Sequence, residues 1–281
     1  MINTVYRLVA PRRFEIAFED INLFGENAIV RPTYLSICNA DMRYYLGTRD
    51  AKVLAEKLPM ALIHEGVGEV FLDPTGTFKT GDKVVMVPNA PVEKDEFIAE
   101  NYLRSSKFCG SSMDGFLQEF VEISPKRLVK LPDDIDMTVA AFTEIVSVSV
   151  HAISRFDKIA HARRNAISVW GDGNLGYITS LFLKYHFPKS KIVVFGTSSD
   201  KLADFTFADE THLVNEVPDG FTTDHAFECV GGNGSPIAIE QIIGLIKPEG
   251  TISILGVSEY PVPINTRMIL EKGLRVFGSS R

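Results

Sequence analysis

Directly behind the apolar run Ala166 to Trp170 stands Gly171-Asp172-Gly173-Asn174-Leu175-Gly176, and no other stretch restricts the fold as strongly. The residues after it have helical apolar spacing to His186, and Lys191 to Phe195 is a second apolar run. A strand, a glycine turn, a helix and a second strand make a βαβ unit, whose strands must lie parallel. In that context the glycines have separate uses. Gly171 allows the tight turn, Gly173 lets a pyrophosphate approach the backbone, and Gly176 permits close helix–strand packing. The orphan N–H groups of Asn174 and Leu175, at the helix start, complete an anion cradle. A glycine turn without a ligand is the competing reading, but the flanking strand and helix are what a dinucleotide requires.

The end of the second strand reports which nicotinamide cofactor is held. An NAD site places a carboxylate about 20 residues on, to accept the ribose 2′-hydroxyl. Here that count falls on Gly196, in Phe195-Gly196-Thr197-Ser198-Ser199-Asp200-Lys201. Glycine does not repel a 2′-phosphate, and Thr197, Ser198 and Lys201 can donate to it, so NADP is favoured. Asp200 is the competing reading, brought to the ribose if the strand register differs. Further on, strands are expected at 211–215, 225–230, 251–255 and 274–277, with a helix over 236–246.

The first half has a different texture. Short strands are predicted at 28–32, 66–71, 82–87 and 116–121, punctuated by Gly81-Asp82 and Pro132-Asp133-Asp134. This pattern suggests a small β-barrel-like domain. Helical signal there is confined to 51–57 and 93–103, and a helix over 140–156 carries the chain between domains. The expected division is 1–150 and 151–281. A net charge of −7 with scattered basic residues argues against nucleic acid or an anionic membrane as partner. Three widely spaced cysteines make no disulfide framework and fit a reducing cytoplasm. No apolar run is long enough to span a bilayer, and the N-terminus lacks a secretory pattern.

Four residues of this half, Cys38, His64, Glu65 and Glu144, have the chemistry of a zinc site. Thiolate, imidazole and carboxylate are ligands that catalytic zinc takes, leaving one position open. Singly, each has a plain alternative: a buried apolar thiol, a hydrogen-bonded His–Glu pair, and a carboxylate on a helix dipole. His64-Glu65 is not a protease His-Glu-x-x-His motif, because Gly68 holds the second histidine's place. Glu144 sits in an otherwise apolar helix start, where a carboxylate is costly unless paired or metal-bound.

Cys38-x-x-Asp41, His64-Glu65-x-x-Gly68, Glu144 and the loop from Gly171, in this order, resemble the zinc-containing medium-chain dehydrogenase/reductases. The resemblance covers essentially the whole chain. It implies an α/β architecture: a GroES-like β-barrel catalytic domain plus a Rossmann doubly wound parallel sheet. Longer strings, Leu58 to Val70, Trp170 to Thr179, Asp224 to Gly232 and Leu270 to Leu274, resemble a narrower branch, the ribulose-5-phosphate reductases of ribitol teichoic-acid synthesis. That likeness implies NADPH-dependent, zinc-assisted reduction of a sugar phosphate. It implies zinc on Cys38, His64 and Glu144, with Glu65 able to ligate the resting metal. It further implies a ribitol-5-phosphate cytidylyltransferase as functional partner and a homodimer.

The chain departs from the wider family at four points. Ile63 replaces the usual glycine before His64, and Ala40 stands where many members place a proton-relay hydroxyl. The lobe from Asn89 to Gly110 carries only Cys109, which cannot make a four-cysteine structural zinc. The sequence also stops at Arg281, where the family continues with a C-terminal return segment, so an incompletely packed catalytic domain is expected. Arg43 is a candidate for the substrate phosphate and, equally, a surface arginine. Cys229 is read as a core thiol, and Cys109, His151 and Trp170 as structural or unassigned. Two rival functions stand beside the reductase: another zinc polyol or polyol-phosphate dehydrogenase, and a non-catalytic NADP-binding interaction subunit.

Overall fold

Alternating and continuous apolar runs sort the chain into two kinds of sheet in this computed structural model, which describes residues 1–280. The N-terminal strands are β1 (Ile2–Ala10), β2 (Arg13–Asp20) and β3 (Ala28–Ser36), followed by helices α1 (Asn39–Leu46) and α2 (Ala51–Lys57). Then come β4 (Met60–Ala61), β5 (Glu65–Leu72), β6 (Lys83–Met86), β7 (Asn89–Ala90), β8 (Lys107–Phe108), β9 (Val121–Ile123) and β10 (Leu128–Lys130). They form antiparallel sheets ordered β2-β1-β4, β10-β6-β5-β3-β9 and β7-β8. Ala28, Val30, Val70, Val84, Met86, Phe116 and Val121 close over one core. The β3–β5 pairing sets Ser36 opposite Glu65. That register brings the ends of two strands far apart in sequence to one place.

The short helix α3 (Met137–Ala140) precedes α4 (Thr143–Ile159). Two compact units result, Met1–Glu144 and Ile145–Arg281, divided in the first turn of α4. The second unit contains β11 (Ala166–Trp170), α5 (Asn174–His186), β12 (Lys191–Gly196), α6 (Ser199–Leu202), β13 (Glu210–Leu213) and β14 (Thr223–Glu228). It ends with α7 (Ser235–Leu245), β15 (Ile246–Ile254), α8 (Thr266–Lys272) and β16 (Arg275–Gly278). All pairings are parallel, in the order β13-β12-β11-β14-β15-β16. Numbered within this sheet, that is the doubly wound order 3-2-1-4-5-6. Every residue of β14 is buried, as a parallel strand covered on both faces must be. Ile167, Val169, Ile192 and Val194 pack with Phe156 and Leu183, while Trp170, Val193 and Phe195 pack with Ile239 and Ile242.

Two sequence expectations are corrected and one element is added. No α-helix forms over 93–103, only a single 3₁₀ turn at Glu100–Tyr102. Asp95 instead turns its carboxylate onto the backbone N–H groups of Phe97 and Ile98, each at 2.8 Å, which competes with helix formation. The run 116–121 is not a strand until Val121, because Gly115, Phe116 and Leu117 donate to the carbonyls of Ala61, Ile63 and Leu62. The hairpin β1–β2 was not expected. Its turn is Pro11-Arg12, with Arg12 at φ 63°, rather than a glycine pair.

A histidine is locked neutral inside the second unit. The Thr251 N–H donates to His225 Nδ1 at 3.1 Å, so Nε2 carries the proton, 3.0 Å from the Arg163 carbonyl. Burial, then the neighbouring His161, pushes His225 down from 6.5 to about 4. The unfolded chain therefore binds a proton here that the folded chain refuses, between those two values. His225 supports folding fully above pH 6.5, and that support is lost as pH falls towards 4. Urea midpoints of the His225→Gln variant, measured across that window, are expected to vary less with pH than those of the parent chain.

Candidate functional site

Cys38 begins the site, as the N-cap of α1. Its Sγ accepts the Ala40 N–H at 3.1 Å, while Asp41, three residues on, accepts the Cys38 N–H at 3.0 Å. This reciprocal arrangement is a capping box with a thiol in the place of a hydroxyl. It fixes the Cys38 backbone and aims Sγ at the helix start, where partial positive charge favours a thiolate.

Asp41 also reaches across to the second ligand segment. Its other oxygen, Oδ1, accepts the Ile63 N–H at 2.9 Å and lies 3.9 Å from His64 Nδ1. Ile63 is held at φ 74°, a left-handed conformation that a β-branched residue adopts only under constraint. The constraint is visible. The Ile63 side chain packs with Leu8, Tyr44, Met60 and Leu62, and its carbonyl accepts the Phe116 N–H at 2.7 Å. Thus the residue that replaces a glycine keeps the glycine-type turn. It turns His64 and Glu65, both buried, towards Cys38.

Cys38, His64 and Glu65 bring one ligand atom each to within 4.8 Å of one another. All three resist their charged or cationic forms. Burial, then Asp41, pushes the Cys38 thiol up to about 12, although the Ala40 N–H opposes this. Burial also raises Glu65, against hydrogen bonds from Ser36 and Cys38, and holds His64 below its ordinary value. Glu144 lies outside the three-residue group. Its carboxyl is desolvated and feels the negative charges of Glu65 and Asp41, and is raised to about 8. A soft thiol, an imidazole and a carboxylate within 4.8 Å of one another fit a divalent zinc, whose charge offsets the cost of the two anions and which takes the imidazole in the neutral form that burial favours.

The second candidate site lies at the glycine turn between β11 and α5. Gly171 has φ 131°, and a Cβ there would lie 3.0 Å from the Cys229 backbone. A Cβ on Gly176 would lie 1.9 Å from the Gly171 carbonyl oxygen, so this contact of helix and turn admits glycine alone. Gly173, the N-cap of α5, has open space where its Cβ would be. Being glycine, it makes no side-chain cap hydrogen bond to α5, and Asn174 and Leu175 form the first turn. The turn thus presents N–H groups and room to an anion.

At the end of β12 the strand closes on Gly196, and Asp200 lies beyond it, exposed, in α6. Thr197 and Lys201 are exposed and Ser198 is half-buried. The sequence offered no role for Asp172, yet its carboxylate accepts the Thr197 N–H at 2.6 Å and the Ser198 N–H at 2.8 Å. Glu228 was likewise unassigned. Fully buried, it takes the N–H groups of Val230, Gly231 and Gly256, fixing the loops after β14 and β15. Cys229 is a core thiol beside Thr179, and Cys109 is buried in the core of the first unit. Trp170 stacks on Phe195 and donates to Gln241 at 2.7 Å, a structural role. His151 and Arg43 are partly buried.

Residues 25–133 match the alcohol dehydrogenase GroES-like domain. The whole chain is 57% identical to ribulose-5-phosphate reductase 1 of Staphylococcus aureus and 56% identical to the ribulose-5-phosphate reductase of Bacillus spizizenii, spanning 82% of each. Among solved structures it superposes on S. aureus TarJ in complex with NADPH. The TM-score is 0.87 at 52% identity, over all of this chain and 81% of that one.

Asp41 supports both ligand segments, so Asp41→Ala is expected to weaken zinc affinity by about ten- to a hundredfold, as loss of an outer-shell partner does. Competition against a chromophoric chelator reads this directly. An unchanged affinity would remove Asp41 from the support of the site.

Proposed function

The chain belongs to the ribulose-5-phosphate reductases of the medium-chain dehydrogenase/reductase family, and on that premise we propose that it reduces D-ribulose 5-phosphate to D-ribitol 5-phosphate with NADPH. The observation that carries the reading is the group of Cys38, His64 and Glu65, buried and converging within 4.8 Å, in a chain of this family. Cys38, His64 and Glu144 would hold one zinc, with Glu65 ligating the resting site. Zinc so held supplies Lewis-acid polarisation of a ketone, and NADPH supplies the hydride.

The chain's own residues set the stage for that chemistry. Asp41 and the Ile63 turn orient the thiol and imidazole before substrate arrives, so little reorganisation accompanies reaction. Gly171, Gly173 and Gly176, with the N–H groups of Asn174 and Leu175, would seat the pyrophosphate. Gly196, Ser198 and Lys201 would admit the 2′-phosphate. Thr197, whose N–H is engaged by Asp172, would contribute through the shape of the loop. Arg43, on the helix that Cys38 caps, would meet the sugar's phosphate.

The wider setting follows from the same likeness. The product is a polyol phosphate, which a cytidylyltransferase would consume in supplying CDP-ribitol to teichoic acid or capsule. A cytoplasmic homodimer is the assembly we propose. No helix among the described residues is long and apolar enough to cross a membrane.

Two measurements test the reading. NADPH oxidation with D-ribulose 5-phosphate is expected to require zinc, to stop on chelation, and to be lost with unphosphorylated ribulose. Turnover that survives complete removal of metal would refute the zinc role. Glu144→Ala is expected to lose both bound zinc and turnover. Normal zinc content and rate would exclude Glu144 from the site.

A further inference from the structure

The carboxylate absent from the end of β12 has a counterpart inside the glycine turn. A Cβ at Gly196 would lie 2.7 Å from Asp172 Cβ and 2.9 Å from its Oδ2. Asp172 therefore fills the volume into which an acidic side chain at position 196 would grow. Glycine at 196 and aspartate at 172 are one device: the first makes room for the second.

Asp172 uses that room to wrap the next loop around itself. Its Oδ2 accepts the Thr197 N–H at 2.6 Å, the Ser198 N–H at 2.8 Å and the Thr197 hydroxyl at 3.2 Å. Desolvation would raise the Asp172 carboxyl, but these donors and the nearby Lys201 outweigh it and hold the group below its ordinary value. Its charge is thus spread over partners of the protein itself. Ser198 Oγ accepts the Lys201 N–H at 3.4 Å, which leaves its own proton free to donate. The exposed Lys201 ammonium lies on the same short segment.

We propose that Asp172 is the residue that sets cofactor choice, by tying Thr197 and Ser198 into the loop shape that presents Ser198 and Lys201 to a 2′-phosphate. In this role it is a positioning residue and not a ribose ligand. An aspartate in the phosphate turn looks at first like an element hostile to NADP; bonded as it is here, it builds the NADP side of the site. The inference rests on the NADPH reading above and deepens it.

Binding of 2′,5′-ADP and of 5′-ADP to the full chain, by calorimetry, separates the inference from the reading beneath it. The parent chain is expected to bind 2′,5′-ADP at least about tenfold tighter, the scale of one or two charge-assisted contacts. Equal binding by the parent chain would overturn the NADP reading itself. Asp172→Ala is expected to lose most of this preference while retaining affinity for 5′-ADP. Asp172→Asn, which keeps an acceptor oxygen without the charge, is expected to keep most of it. Tighter binding of 2′,5′-ADP by Asp172→Ala would make the carboxylate a repulsive element and refute the proposal. So would an equal loss for both nucleotides, or no change. Should Asp172→Ala fail to fold, Gly196→Ala displaces the Asp172 side chain from the opposite side and is expected to cause the same selective loss. Its failure to do so would equally refute the proposal.

Discussion

Four ionisable groups, Cys38, His64, Glu65 and Glu144, are held where charge is expensive, and a strand register, a helix cap and one turn of the first unit bring three of them together. Burial and mutual repulsion push the thiol to about 12 and the Glu144 carboxyl to about 8. A domain gains no stability from such an arrangement alone. It would become favourable once a divalent cation displaced the thiol and carboxyl protons and supplied the opposite charge, as the proposed zinc would. The antiparallel register of β3 and β5, the thiol-capped helix α1 and the left-handed turn at Ile63 all serve that convergence. Asp41 joins them, with one carboxylate oxygen on each ligand segment.

The second unit solves a different problem with the same economy. Its parallel sheet leaves strand ends and helix starts on one edge, where backbone N–H groups point outward. Glycine is required at Gly171 by conformation and at Gly176 by contact, whereas Gly173 leaves space that the protein itself does not use. Two carboxylates, Glu228 buried and Asp172 half-buried, shape the surrounding loops. Glu228 binds three N–H groups beyond β14 and β15, and Asp172 binds two beyond β12.

What the sequence revealed follows from how local each cause is. The helix over 174–186 and the strands from β11 to β16 were legible because apolar period and glycine punctuation act within a few residues. The candidate ligand types were legible too, but their meeting came only from the family resemblance, since Cys38 and His64 are far apart in sequence and are linked through strand pairing and Asp41. The 93–103 segment misled because its charged residues favour helix, while Asp95 captured the backbone in a turn. From sequence, Ile63 was only a replacement of the family's usual glycine before His64. In fact core packing and hydrogen bonds to Asp41 and Phe116 impose the turn on isoleucine. Asp172 was hidden for a related reason: its partners lie one strand away, on a loop whose residues read as contacts for the cofactor and not for the glycine turn.

The central claim is that one thiolate, one imidazole and carboxylate oxygen surround a single zinc in the first unit. X-ray absorption at the zinc edge of the metal-loaded protein tests it most directly. The account predicts one sulfur scatterer at about 2.3 Å, with nitrogen and oxygen neighbours at about 2.0–2.2 Å. A first shell without sulfur, or one made wholly of sulfur, would contradict it.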